Sequence, residues 1–329
     1  MKQLHFYGEN NIGIIDVPEP HPASGEVIVK TVCSAICGSE MHAYRHGMAE
    51  GNPGHEAVGV IEAVGRGVTS VRVGQRVGAS PIAGCGECEF CRKGQYTWCP
   101  TFRFFGSFHS EKFKVPAHAV QPLPDDVDWE CAVLLTGDGL GVPFHTAQKV
   151  WPQNNCIAVF GAGPIGLGNV IMQHYLGRKV IVVDISPSRL EFARHLGADC
   201  GVNPAEADVV AEIKHLTGGL GADVCIECAG RPETVRHCFD AVRTGGQVIF
   251  NGEQGNVPLS ISEDYIRRDI TASGSWFFHF GEFHSMLELF RKGLPVKSLI
   301  SHRFSFEEVV EAYQLFAAGK TAKTVLFYQ

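Results

Sequence analysis

The chain has 329 residues and a formal net charge of −7, with its charges dispersed and no basic run that would mark a nucleic-acid or anionic-membrane surface. No apolar run approaches the ~20 residues of a membrane-spanning helix, and Met1–Pro20 carries Glu9, Asp16 and Glu19 without the apolar core of a signal peptide. Twelve cysteines in such a chain point to a reducing compartment, the cytoplasm, where thiols stay available to metals, and the length suits two domains.

The first part of the chain reads mainly as β structure. Glu26–Cys33 and Ala57–Val64 alternate apolar and polar residues between glycines or prolines, and Val71–Val77 reads as a further short strand. Between the first two strands stand Cys37-Gly-Ser-Glu-Met-His42 and Gly54-His-Glu56. Cys37 follows a strand, where a loop can aim it, and His55 is held between Gly54 and Glu56. A cysteine, a histidine and a carboxylate form the ligand set of an open catalytic zinc, with one position left for water or substrate.

Next comes a loop with Cys85, Cys88, Cys91 and Cys99: two residues separate each of the first three, and seven precede the last. Short spacings let one loop present several thiolates to one ion, and Gly84, Gly86 and Gly94 permit the turns. Four thiolates leave no open position, so this zinc is expected to be structural. The competing reading is loose or disulfide-bonded cysteines. Phe113–Pro116 continues the β pattern, and Asp128–Lys149 reads as helix interrupted by Gly137, Gly139 and Gly141.

At Asn155 the pattern changes. Cys156–Phe160 is an unbroken apolar run, as a strand buried on both faces requires. Gly161-Ala-Gly163-Pro164-Ile165-Gly166 follows and opens a helix, and Val180–Val183, Ala222–Glu227, Gly246–Phe250 and Ile270–Gly274 continue the strands. The alternation predicts a doubly wound parallel sheet, an α/β domain of Rossmann type following a mainly β region. Gly161 makes the turn, Gly163 admits a pyrophosphate to the backbone, and Gly166 allows helix and strand to pack. Asp184 lies 18 residues beyond Gly166, where a carboxylate accepts ribose hydroxyls and repels a 2′-phosphate. NAD is therefore expected over NADP, with Arg189 lying over the adenine face or reaching toward a 2′-phosphate. Amphipathic helices at Glu282–Arg291 and Phe306–Ala318 and a strand at Lys323–Phe327 close the chain.

These motifs together resemble the zinc-containing medium-chain dehydrogenases/reductases, the group of alcohol, sorbitol and threonine dehydrogenases. The resemblance runs from Cys37-Gly-Ser through Gly54–Gly65, Val73–Val77, the cysteine loop and the glycine fingerprint to Gly319-Lys-Thr-Ala-Lys-Thr-Val-Leu. It implies a GroES-like, mainly β catalytic domain over residues 1–151, with 281–329 returning to it, and a Rossmann domain over 152–280. Cys37 and His55 match two catalytic zinc ligands, and Glu56 a carboxylate that ligates the metal or enters and leaves its shell. Asp138, seven residues before His145, matches the remaining ligand of sorbitol-type members, against the alternative of a helix cap or turn residue. Ser39 and His42 match a proton relay. Two zinc ions per chain follow, one catalytic and one structural, in a homodimer or homotetramer.

The chain also departs from the family pattern. Glu40 stands where Asp is usual, a small change if it only supports the loop; the Cys37–His55 segment is short; and no proline follows Asp138. The implied reaction is reversible oxidation of a secondary alcohol to a ketone, with hydride passing to nicotinamide. The acid-rich ligands favour a polyol, sugar alcohol or cyclitol. Alternatives are an amino alcohol such as threonine, a non-catalytic nucleotide-binding relative, or a metal-free quinone or enoyl reductase. Tyr44, Arg45, Phe108, His109, Trp276 and His279 are candidates to line the substrate pocket.

Overall fold

The computed structural model describes residues 1–47 and 54–329, so the short segment between Cys37 and His55 lies partly outside the described residues. The chain divides into two units: Met1–Gly141 with His279–Arg291 and Ile300–Gln329, and Val142–Phe278 with Lys292–Leu299. The division falls inside the helix Asp138–Ala147 rather than at residue 151. That helix carries the chain from one unit to the next without a linker, so composition gives no break to read.

The first unit is mainly β. Its seven-stranded sheet runs Ile300–Ser305, Lys323–Phe327, Glu26–Ile36, Ala57–Val64, Arg76–Ala79 and Val120–Pro122, with Lys112–Pro116 also paired to Glu26–Ile36. Glu26–Ile36 is the organising strand. Its second half, Cys33 to Ile36, is buried on both faces, because the C-terminal strand pairs with it there (Val325 opposite Ala35). The strict alternation read over Glu26–Cys33 therefore understates the strand's length and burial.

One apolar cluster of this unit joins Val27, Val29, Ile61, Val77, Phe108 and Phe113. Another joins Leu4, Phe6, Tyr44, Phe306, Tyr313 and Leu326. The latter covers an N-terminal hairpin, Lys2–Gly8 with Asn11–Asp16, that has no turn dipeptide of the usual kind. Glu9 and Asn10 turn it at φ of 53° and 61°. The strand expected at Val71–Val77 is displaced to Arg76–Ala79, because Gly74 takes φ +84° and Gln75 N–H closes a turn onto the Arg72 carbonyl (3.1 Å).

The second unit is the doubly wound parallel sheet expected from the alternation. Six strands lie in the order Cys200–Val202, Lys179–Val183, Cys156–Phe160, Ala222–Glu227, Val242–Phe250 and Thr271–Gly274, every neighbouring pair parallel. Strand order reverses between Cys156–Phe160 and Ala222–Glu227, the point at which such sheets open a crevice for ligands. Ile157 to Phe160 are completely buried, which is why that strand shows no polar alternation.

Candidate metal centres and nucleotide site

The sulfurs of Cys85, Cys88, Cys91 and Cys99 all lie within 4.8 Å of one another. Cys91 Sγ is 3.4 Å from Cys88 Sγ and 3.9 Å from Cys85 Sγ. Zn–S bonds of about 2.3 Å give a tetrahedron with edges of about 3.8 Å, whereas a disulfide needs ~2.05 Å. The spacing fits one ion and excludes disulfides here. Backbone amides point at the sulfurs: Cys85 N–H donates to Cys99 Sγ at 3.3 Å, and Glu87, Cys88 and Cys91 N–H make contacts of 3.4 Å. Burial works against ionisation of Cys99, but the amides of Cys85 and Thr101 overcome it and hold the thiol at about 6. Burial, aided by the neighbouring thiols, pushes Cys91 up to about 12. All four would be thiolates when they hold an ion.

The second cluster is assembled from three distant stretches. Cys37 follows the strand Glu26–Ile36, His55 and Glu56 lead into Ala57–Val64, and Asp138 opens the helix Asp138–Ala147. One ligand atom from each lies within 4.8 Å of the others. Asp138 Oδ2 is 3.0 Å from His55 Nε2 and 3.8 Å from Cys37 Sγ. Its other oxygen, Oδ1, is buried and has no hydrogen-bond partner among the described residues. A carboxylate that meets a thiol and an imidazole through one oxygen and leaves the other unsatisfied fits a zinc ion, both in donor type and in what the protein leaves unpaired.

Glu56 is engaged elsewhere. Its Oε1 accepts from the ammonium of Lys323, and its Oε2 from Gly139 N–H at 3.3 Å. Both members of this ion pair are fully buried. The chain can press so closely here because Asp138 sits between glycines: a Cβ on Gly137 would stand 2.5 Å from Glu56 Oε2, and one on Gly139 would stand 2.8 Å from Leu134 Cδ2. Burial lowers the His55 pKa, but Cys37 and Asp138 outweigh it and raise it well above the ordinary imidazole value. Burial likewise opposes the Lys323 charge, yet Glu56 and Cys37 raise its pKa. Burial pushes Glu56 up, with Lys323 pulling against it. The cluster as a whole draws positive charge.

Glu40 is more than a prop for its loop. Its Oε2 accepts from Cys37 N–H at 3.3 Å, lies 3.3 Å from His109 Nε2 and accepts from Tyr313 O–H. Its Oε1 lies 3.5 Å from His55 Nδ1. Burial would raise this carboxyl, but His109, then His55 and Tyr313, hold it down at about 2.

Four residues expected at a substrate pocket are buried in the unit's own packing. Phe108 stacks on Phe113 at 4.3 Å, Tyr44 belongs to the apolar core, His109 contacts Glu40, and His279 Nδ1 lies 2.8 Å from Thr97 Oγ1. Arg45 is exposed and Trp276 is 39% exposed. Ser39 and His42 are exposed, three residues apart on the turn and helix spanning Gly38–His46, with the His42 ring 4.7 Å from His46.

In the second unit, Gly161 takes φ +95° and a Cβ there would meet Ala229 at 2.9 Å. A Cβ on Gly166 would lie 1.7 Å from the Gly161 carbonyl oxygen, so helix and strand pack at backbone distance. Gly163 has nothing within 4 Å of its missing Cβ, and it caps the helix Pro164–Tyr175 without a side-chain hydrogen bond. Pro164 and Ile165 form the first turn of that helix, whose amide end is left for an anion. Asp184 Oδ2 accepts from Ala162 N–H at 2.7 Å and Oδ1 from Ser186 N–H at 2.8 Å, which orients the carboxylate while leaving each oxygen a lone pair for a ribose hydroxyl. Arg189 is half-buried on the first turn of the helix Pro187–His195. These features fit a dinucleotide.

The residue that the sequence hid is Lys323. Its only local signal is a charge at the head of an apolar strand, and its partner lies 267 positions away. The Glu40–His109–Tyr313 contacts were hidden in the same way.

Residues 164–292 match the zinc-binding dehydrogenase family, and residues 23–125 match the alcohol dehydrogenase GroES-like domain. The L-threonine 3-dehydrogenase of Pyrococcus abyssi is 33% identical, over 99% of this chain and 97% of its own. The sorbitol dehydrogenase of Bacillus subtilis is 31% identical, over 95% and 93%. Among solved structures, an alcohol dehydrogenase of Escherichia coli CFT073 in complex with NADH is 30% identical, with a TM-score of 0.88 and 99% coverage of both chains. No described helix is long and apolar enough to cross a membrane.

The cysteine cluster generates a direct prediction. Cys88→Ser should remove one zinc ion per chain by metal analysis and lower the melting temperature, because binding at such a site is part of the folding energy. Zinc content and stability equal to those of the parent protein would refute a metal role for these four sulfurs.

Proposed function

This chain belongs to the zinc-containing medium-chain dehydrogenases, and we propose that it reversibly oxidises a secondary alcohol to a ketone, with NAD as hydride acceptor and a polyol, sugar alcohol or cyclitol as substrate. The carrying observation is the Asp138 carboxylate: its Oδ2 lies beside Cys37 Sγ and His55 Nε2, and its Oδ1 is buried with no hydrogen-bond partner among the described residues. In this reading Cys37, His55 and Asp138 hold a catalytic zinc, and Glu56, turned to Lys323, is the carboxylate in reserve. Cys85, Cys88, Cys91 and Cys99 hold a structural zinc. The free cysteines suit a cytoplasmic enzyme, and a homodimer or homotetramer follows from the resemblance.

When bound, the catalytic zinc supplies Lewis acidity that lowers the pKa of the substrate hydroxyl, and NAD supplies the hydride acceptor. The chain's residues prepare both. With metal bound, Cys37 as thiolate, Glu56 and Asp138 would bring three negative charges into a buried space, and Lys323 would supply one of the positive charges that compensate them. The donor set would then be neutral with a divalent ion in place. Ser39 takes the hydroxyl proton and His42 passes it to solvent, which both residues reach. Gly163 and the uncapped helix start hold the pyrophosphate, and Asp184 holds the ribose.

The carboxylate-rich ligand set and the sorbitol dehydrogenase relative support a polyol. The threonine dehydrogenase relative, at slightly higher identity, favours the second reading, an amino alcohol. A panel of sorbitol, xylitol, inositol and L-threonine with NAD, read by NADH absorbance, separates them. Turnover of threonine alone would overturn the polyol reading. No turnover of any alcohol, together with one zinc per chain, would leave only a nucleotide-binding relative.

Two variants bear on the residues. Asp138→Asn keeps shape and helix-starting ability but removes charge; it should cost one zinc per chain and about 100-fold or more in kcat. Unchanged zinc and turnover would reduce Asp138 to a helix-end residue and leave Glu56 as the carboxylate ligand. Asp184→Ala should weaken NAD binding about tenfold, about 1.4 kcal/mol, while narrowing the preference over NADP in paired KM measurements. A parent enzyme that already prefers NADP would refute the assignment.

A further inference from the structure

Behind His55 lies a buried polar chain that the proposed reaction does not use. Glu40 has one methylene more than the aspartate usual at its position, and so more rotamers to lose on ordering. Three donors gather on a single oxygen of it: Cys37 N–H at 3.3 Å, His109 Nε2 at 3.3 Å and the Tyr313 hydroxyl converge on Oε2. Oε1 is left with no hydrogen bond among the described residues, 3.5 Å from His55 Nδ1. On the far side, His109 Nδ1 is 2.8 Å from Ser34 Oγ, which is 3.0 Å from Tyr328 Oη. With the His109 proton on Nε2, Tyr328 donates to Ser34, Ser34 to His109 Nδ1, and His109 to Glu40, so each member is satisfied in one direction.

His109 also touches the approach to His55 directly. Its side chain is completely buried, and a Cβ on Gly54 would stand 2.6 Å from its Cγ and Cδ2. Phe108 N–H donates to the Gly54 carbonyl at 3.1 Å. One imidazole therefore packs on the residue preceding His55 and anchors the carboxylate behind it.

We propose that His109, aided by Tyr313, is a positioning residue for the metal centre: it pins Glu40 through Oε2 so that Oε1 waits 3.5 Å from His55 Nδ1, placed to accept the Nδ1 proton when Nε2 binds the metal. The inference rests on the reading that Cys37, His55 and Asp138 bind zinc. An imidazole ligand whose second nitrogen donates to a carboxylate is held in one orientation, and loosening such a partner lowers metal affinity by about 10–100-fold. Here the longer acid is made rigid by two ring residues drawn from other parts of the unit.

The test uses the full-length holoenzyme and three variants, His109→Phe, His109→Gln and Tyr313→Phe. Readouts are zinc retention against a chelator, the visible spectrum after cobalt(II) replacement, and kcat and KM separately. His109→Phe keeps a ring against Gly54 but loses the donor. It should bind the catalytic ion about 10–100-fold more weakly, keep the four-cysteine ion, alter the cobalt spectrum and lower kcat with the KM for NAD unchanged. His109→Gln keeps an N–H near the Nε2 position and should restore most of the loss. Tyr313→Phe is the milder change, informative even if His109→Phe fails to fold, and should shift retention the same way by a smaller factor. Folded variants with parental retention and spectrum would overturn the role of His109, as would equal losses in His109→Phe and His109→Gln, which would show packing alone. A parent protein with one zinc per chain would instead overturn the ligand assignment.

Discussion

A concentration of buried acidic groups and metal-type donors governs the first unit. Cys37, Glu56 and Asp138 converge within 4.8 Å of one another in a space from which water is largely excluded. Burying an ion unpaired is far more costly than leaving it in water. The surrounding structure can be read as the answer to that cost: Lys323 is carried in on a C-terminal strand to meet Glu56, and His109 meets Glu40. The charge that Cys37 as thiolate and Asp138 would carry on binding a metal is what the proposed zinc ion would neutralise. A buried ion pair of this kind is a poor source of stability, so its presence speaks for the chemistry of the site rather than for the fold.

The second unit handles charge in the opposite way. At its glycine turn it clears backbone. Gly166 lets the helix close on the strand, and Gly163 leaves open space in front of the amide end of the helix Pro164–Tyr175. Partial charges of fixed amides serve an anion that comes and goes, since they require no counter-ion when it leaves.

Much of this was legible along the chain because its causes are local. The unbroken apolar run Cys156–Phe160, the glycines after it and the acid at Asp184 are neighbours in sequence, and their spacing follows from the geometry of one strand–turn–helix unit. The four cysteines lie within one short loop, so their spacing alone limits what they can bind. Reading failed where a residue's surroundings come from elsewhere. Phe108, His109 and Tyr44 have the chemistry of ligand-contacting side chains, and only the packing of Phe113, Glu40 and Phe6 around them shows that they are interior. Glu40 looked like a conservative change because its partners His109 and Tyr313 lie 69 and 273 positions away.

By itself the sequence determined the class of each unit and the donor chemistry available to it, since apolar periodicity, glycine turns and cysteine spacing act over a few residues. Only the tertiary structure decided which carboxylates are spoken for. Asp138 and Glu56 are equivalent as acids in a string of letters. They become different when Lys323 and Gly139 occupy both oxygens of one and no described residue occupies Oδ1 of the other. The difference is one of hydrogen-bond saturation in a buried space, a property of side chains that meet across the whole length of the chain.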